Sequence, residues 1–151
     1  MGNRWHESLR LNRNRYLGRV TDAEKGAIIA RSLGMLAPIR WHEPFGLAMV
    51  ESLYHGAPLF GTPLGSLPEL VPDERVGMLT LNADELLIAM QEEDRYDSAV
   101  CHELAVSQFN AAKMSDRYIE AYDRVIRGQS LQSEPPHTDG SAGKLRGPFP
   151  A

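Results

Sequence analysis

The 151-residue chain carries 16 Lys and Arg against 20 Asp and Glu, a formal charge of −4, and 42% of it is hydrophobic, which suits one domain of ordinary soluble type with a sizeable core. Its apolar runs are broken by Arg, Glu or Pro well before the roughly 18 residues that a membrane span needs, and MGNRWHESLR has no apolar leader stretch. A single cysteine, Cys101, can form neither an internal disulfide nor a Cys-rich metal site, so nothing demands an oxidising compartment and the cytoplasm is the default.

The chain begins with a basic arm over residues 1–15. Arg4, Arg10, Arg13, Arg15 and the nearby Arg19 face only Glu7 in charge, so the remainder is the more acidic part. Such an arm can track nucleic-acid phosphates, but its arginines are sparse and only Trp5 and Tyr16 could stack on bases, which favours a solvated segment. Residues 15–20 read as a strand. Thr21-Asp-Ala-Glu24 is a capping box, opening a helix whose apolar face is expected at Ile28, Ile29 and Leu33. Gly34 to Ile39 is a second strand. Phe45 to His55 reads as a helix with Leu47, Val50 and Leu53 spaced three apart and Gly56 as its left-handed terminator.

Ala57 to Gly61 follows as a third strand, Ser66 to Val71 as a short helix with Pro68 in its first turn, and Gly77 to Leu81 as a fourth strand. Asn82 caps a helix to about Gln91, and further helices are predicted over Asp94 to Gln108 and Ala111 to Arg127. Residues 128–151 hold four Gly and four Pro without a hydrophobic period, the composition of a disordered tail. Strands alternating with helices predict an α/β fold of βα units around a parallel sheet.

The densest cluster of unusual residues is Arg40-Trp-His-Glu-Pro-Phe-Gly-Leu-Ala-Met-Val-Glu51, between the second strand and the next helix. Open parallel sheets bind ligands there, at the carboxyl ends of their strands. With Pro44 and Gly46 shaping a turn, Glu43 falls in the loop and Glu51 in the second helical turn, so both can face one crevice, while amides from Phe45 to Leu47 form an anion site at the positive end of the helix. The plainer reading makes Glu43 a first-turn carboxylate and Glu51 a solvated residue. Among the five histidines no pair stands at metal-ligand spacing with a carboxylate, so a zinc site is not expected. Trp41 and Phe45 read as crevice wall or core, and Cys101 as an inert helix residue.

Tyr16-Leu-Gly-Arg-Val20, Lys25, Trp41 to Glu51, His55-Gly-Ala-Pro58, Gly65-Ser-Leu-Pro-Glu69 and Gly77, in this order, resemble the C-terminal half of retaining, nucleotide-sugar-dependent glycosyltransferases of the GT-B fold, the group 1 or GT4-like family. The resemblance covers residues 16–127, leaving residues 1–15 as an arm that matches nothing in the family, and includes the full Glu-x7-Glu motif as Glu43 and Glu51. It implies an incomplete donor-binding domain, a partial Rossmann-like parallel sheet flanked by helices in three αβα layers. By resemblance Glu43 is the catalytic carboxylate at the donor sugar. His42, Pro44, Phe45, Gly46, Leu47, Gly65 and Ser66 would line the sugar and diphosphate, although a loop histidine such as His42 can equally be solvated and Gly65-Ser66 can be an ordinary turn.

The same resemblance gives Glu51 the ribose hydroxyls and puts Val20 and Lys25 near the nucleobase. Arg19 and Lys25 lie too close to the Trp-His-Glu-Pro-Phe-Gly segment for the family's upstream phosphate pair. It further implies transfer of a sugar from a nucleoside diphosphate to an acceptor hydroxyl of a saccharide, lipid or other compound, with no metal and no cofactor, in the cytoplasm or at the inner face of a membrane. A second copy or a separate acceptor-domain chain would complete the site, and the sheet edge that further strands would pair should be exposed or covered by residues 1–14 or by a second copy of the chain. The alternatives are a non-catalytic remnant or partner subunit, and, less favoured, a nucleic-acid module using the arginine arm.

Overall fold

The computed structural model describes residues 15–132; the basic arm before Arg15 and residues 133–151 of the expected tail lie outside the described residues. In chain order the elements are α1 (Asp22–Ile29), β1 (Met35–Ala37), α2 (Leu47–Tyr54), β2 (Leu59–Gly61), α3 (Leu67–Leu70), β3 (Gly77–Leu79), α4 (Ala83–Ala89), a 3-10 turn (Glu93–Arg95), α5 (Ser98–Gln108) and α6 (Ala111–Ile126). The strands form one parallel sheet in the order β1-β2-β3, with Met35 beside Leu59 and Leu59 beside Gly77.

β2 is central and wholly buried, and the period of two splits its side chains between two helical layers. On one face Leu59 joins Ala37, Met49, Leu53, Leu67, Leu70, Cys101 and Ala105, so α2, α3 and α5 close over the sheet. On the other face Phe60 meets Leu86 and Ala89 of α4, and the Tyr96 ring lies edge-on to Phe60 at 5.0 Å. The chain is therefore α/β with a three-stranded parallel sheet between helices. The α4 layer stops short of β1, leaving Leu36 52% exposed over a cavity of about 330 Å3 shared with Leu87 and Met90. The outer side of β1 pairs with no strand among the described residues.

Local signals within a few residues are met. The Thr21 N–H donates to Glu24 Oε2 at 2.8 Å while the Glu24 N–H donates to Thr21 Oγ1, closing the capping box. Gly56 ends α2 with φ +80°, and Asn82 Oδ1 accepts from the Asp84 N–H.

Four expectations are corrected. Residues 15–20 form no strand: Gly18 turns the chain at φ +69°, and no described strand lies alongside to accept the backbone hydrogen bonds that a strand requires. Three strands, not four, therefore make the sheet. The apolar face drawn for α1 is not its packing face, since Ile28 and Leu33 are exposed and the buried residue of the helix is Gly26, which lies against the His55 ring. The helix expected from Asp94 is broken, because Asp97 caps α5 through the Ala99 and Val100 amides while the Tyr96 hydroxyl donates to the Ala89 carbonyl. In α2, Leu47 is 71% exposed and Met49 and Ser52 join Leu53 inside, because the face turned to the core runs through 49, 52 and 53 and not through 47.

Candidate functional site

Two loops leave the carboxyl ends of β1 and β2, one over residues 38–46 and one over 62–66, and the structure seals them together. The buried Thr62 hydroxyl donates to the Ile39 carbonyl at 2.6 Å. Further out, the Ser66 N–H donates to the Glu43 carbonyl and the Ser66 hydroxyl to the Phe45 carbonyl, each at 2.8 Å. Gly65 makes this possible: it adopts φ +61°, and a Cβ there would overlap the backbone N and O of Glu43. The close approach that its missing Cβ permits is first of all to the neighbouring loop.

The sealed loops hold Glu43 half-buried, with its Oε2 accepting from the Trp41 indole N–H at 3.0 Å. Trp41 itself is 59% exposed, so it is not core; its ring stands at the surface, anchored by its N–H to Glu43. His42, Pro44 and Phe45 are exposed beside it. Gly46 then enters α2 in the left-handed region at φ +83°, buried against Met49 and Leu70. Since glycine offers no capping side chain and the first turn of α2 holds no acidic residue, nothing within the helix start offsets its positive end. Backbone amides at Leu47 and Ala48 are those a helix leaves without an intrahelical acceptor.

Glu51 lies one turn further along α2. Its Oε1 accepts from Lys25 Nζ at 2.9 Å, and the same ammonium reaches Asp22 Oδ1 at 3.2 Å. Those two hydrogen bonds, the one to Glu51 foremost, push the Lys25 pKa upward, so it is a permanent cation at neutral pH. Val20 is half-buried just ahead of the Thr21 cap. The structure thus groups Trp41, Glu43, Phe45, Gly46, Gly65 and Ser66 at one loop pair, and joins Lys25 to Glu51 beside it.

Sequence reasoning missed three contributors. The Trp41 bond to Glu43 had a local signal, an indole donor two residues from a carboxylate in a proline-shaped loop. Thr62 and the pairing of Lys25 with Glu51 had none, since their partners lie 23 and 26 residues away. Elsewhere, a surface cavity of about 410 Å3 between Arg75, Val76, Glu103 and Leu104 shares no residue with the two loops. Among the described residues no three His, Cys, Asp or Glu side chains gather where they could hold a metal ion. No helix among them is long and apolar enough to cross a membrane.

Comparison with known proteins gives a consistent family. Residues 2–92 match the family model described as glycosyl transferases group 1. An uncharacterized 41.2 kDa protein in the cps region of Klebsiella pneumoniae is 30% identical over 114 residues, covering 71% of this chain and 31% of that protein. A phosphatidyl-myo-inositol mannosyltransferase of Mycobacterium leprae (strain TN) is 28% identical over 125 residues, covering 77% of this chain and 33% of the relative. The chain spans about a third of the length of these curated relatives.

Proposed function

The chain belongs to the group 1 glycosyl transferases, and from that membership we propose that it supplies the donor-binding part of a retaining glycosyl transfer from a nucleoside diphosphate sugar. The observation that carries this reading is the sealed loop pair, which brings Glu43 and the uncapped start of α2 together at the carboxyl edge of a parallel sheet. A diphosphate seated at Leu47 and Ala48 would receive amide hydrogen bonds and the favourable field of the helix end. As the bond from the anomeric carbon to the diphosphate breaks and the bond to the acceptor oxygen forms on the same face, negative charge grows on the leaving group, whose departing oxygen takes up the proton that the acceptor hydroxyl gives up. Preorganised amides there stabilise the transition state more than the ground state.

In the same reading Glu43, oriented by the Trp41 indole, holds donor-sugar hydroxyls near the reacting carbon, with His42, Pro44, Phe45 and Gly46 around it. Glu51 accepts from the ribose hydroxyls, and Val20 borders the base. The helix end, equivalent to about half a positive charge, offsets part of the diphosphate charge, and the reading calls on no metal ion. In this reading the reaction takes place in the cytoplasm or at the inner face of a membrane, and the acceptor hydroxyl would be presented by a second copy or a separate acceptor-domain chain.

Calorimetry of the intact chain against uridine, guanosine and adenosine diphosphates tests the proposal. One of them is expected to bind, and Glu51→Ala to weaken it about tenfold, or roughly 1.4 kcal/mol. Absence of binding by every diphosphate, or binding unchanged by Glu51→Ala, would refute it. A sugar-release assay with a panel of nucleotide sugars separates turnover by this chain from a non-catalytic partner role.

A further inference from the structure

We propose that residues 8–13, Ser-Leu-Arg-Leu-Asn-Arg, dock on the free edge of β1 as a fourth parallel strand, with Leu9 and Leu11 filling the apolar cleft between β1 and α4. This docking does not depend on nucleotide binding, and holds whether or not the chain takes a sugar donor. The edge itself calls for an occupant. Leu36, the middle residue of β1, lies in register beside the buried Phe60, yet it is 52% exposed and no described strand lies on its outer side. The cleft it opens into, about 330 Å3, is walled by Leu86, Leu87 and Met90. A free backbone ladder beside apolar surface is the combination that takes up a further strand.

Chain topology selects the segment. β1 reaches β2 through α2, and β2 reaches β3 through α3, with both helices on the Leu59 face, so each right-handed crossover moves the chain one place in the same direction. α1 belongs to that face as well, since it meets α2 where Gly26 lies against the His55 ring and Lys25 pairs with Glu51. A strand that runs into α1 by the same crossover therefore takes the place before β1, on the free edge. Residues 15–20 are not that strand, but their length suits the connection from a strand's carboxyl end into its helix, which ordinarily takes about 2–6 residues. The strand then falls just before Arg15.

The side chains suit that place. Alternate residues of a strand share a face, so Leu9, Leu11 and Arg13 go together. Turned toward α4, the two leucines cover the cleft beside Leu36, and Arg13 at the carboxyl end comes to Asp84, which lines the same cleft in the first turn of α4. Asp84 has no ion-pair partner among the described residues, whereas the adjacent Glu85 accepts from the Thr80 hydroxyl at 2.7 Å. Ser8, Arg10 and Asn12 take the opposite face, and such polar residues suit an edge strand that must not recruit another. A second copy fits less well. β1 offers three residues to a neighbouring β1, too short a ladder to offset the entropy lost when two chains associate, whereas a tethered segment loses only that of closing a short loop.

Hydrogen exchange on the intact chain tests this without any substitution. Alternate amides within residues 8–13 are expected to exchange about 100-fold more slowly than in the synthetic peptide of residues 1–14, and peptide-like rates throughout would overturn the proposal. Leu9→Asn combined with Leu11→Asn should return those amides to peptide rates and lower the urea midpoint, while Arg10→Gln should change neither. Leu36→Ser, at an exposed position distant in sequence, should unprotect the same amides, and adding the two asparagines to it should lower the midpoint no further. Sedimentation over a range of concentrations separates the rival occupant. Protection that appears only in a dimer, or that survives replacement of both leucines, assigns the edge to a second copy or another segment and refutes the docking of residues 8–13.

Discussion

Replacing Gly65 with alanine probes the seam that builds the site. Two effects add. A left-handed residue at φ +61° costs alanine about 1–2 kcal/mol relative to glycine. The new Cβ would also overlap backbone atoms of Glu43, which cannot rotate away as a side chain would, so the loops over 38–46 and 62–66 must part. Parting them strains or breaks the bonds from the Ser66 N–H to Glu43 and from the Ser66 hydroxyl to Phe45, each contributing about 1 kcal/mol net. The expected destabilisation is therefore about 3–4 kcal/mol. In urea unfolding this appears as a lower midpoint at unchanged slope. Gly65→Asn separates the causes, because asparagine tolerates the left-handed region but carries the same Cβ. If overlap dominates, Asn stays within about 1 kcal/mol of Ala. A Gly65→Ala protein within about 0.5 kcal/mol of wild type would refute the reasoning, since that is the ordinary range of a surface substitution.

Three further outcomes follow from the same geometry. Thr62→Val removes the donor to the Ile39 carbonyl inside the core while keeping the shape, and should cost about 1–3 kcal/mol; an unchanged midpoint in urea would show that the carbonyl is not dependent on that hydroxyl. Cys101 is fully buried, and burial, with Asp97 adding to it, pushes its thiol up to about 11, so iodoacetamide at pH 8 should label it only as fast as the protein opens. Stoichiometric labelling of the native protein within minutes would contradict that burial. The Arg75 guanidinium holds the Asp73 carboxyl down to about 2, below its unfolded range, so its contribution is complete above about pH 4 and is lost as pH falls toward 2. Asp73→Asn should flatten that part of the acid limb, and an unaltered limb would count against the pair.

Much of the fold was legible where the interactions are short. Thr21 and Glu24 are three residues apart, Asn82 bonds the amide two residues on, and Gly56 ends α2 within its own turn, so each could be read from adjacent residues. The predicted strand over 15–20 failed because strand formation is a property of a pair, and the described sheet brings nothing beside it. The α1 face failed for a related reason. Ile28 and Leu33 have the right spacing for a core face, but the residue of the helix that is fully buried is Gly26, whose lack of a side chain carries no hydrophobic signal. Trp41 was read as wall or core because its ring is apolar; its position follows from the indole N–H, which only the placement of Glu43 explains.

By itself the sequence determined the helix caps, the turn glycines, an α/β alternation and the ordered motif from Trp41 to Glu51 that marks the family, all of which depend on residues within a few positions of one another. Only the tertiary structure decided that Gly65 sits against Glu43, that Thr62 anchors Ile39, and that Lys25 rather than a solvated surface meets Glu51. Those contacts join segments more than twenty residues apart. Their geometry comes from how a buried parallel sheet sets its helices and loops, and no local pattern of residues encodes that distance.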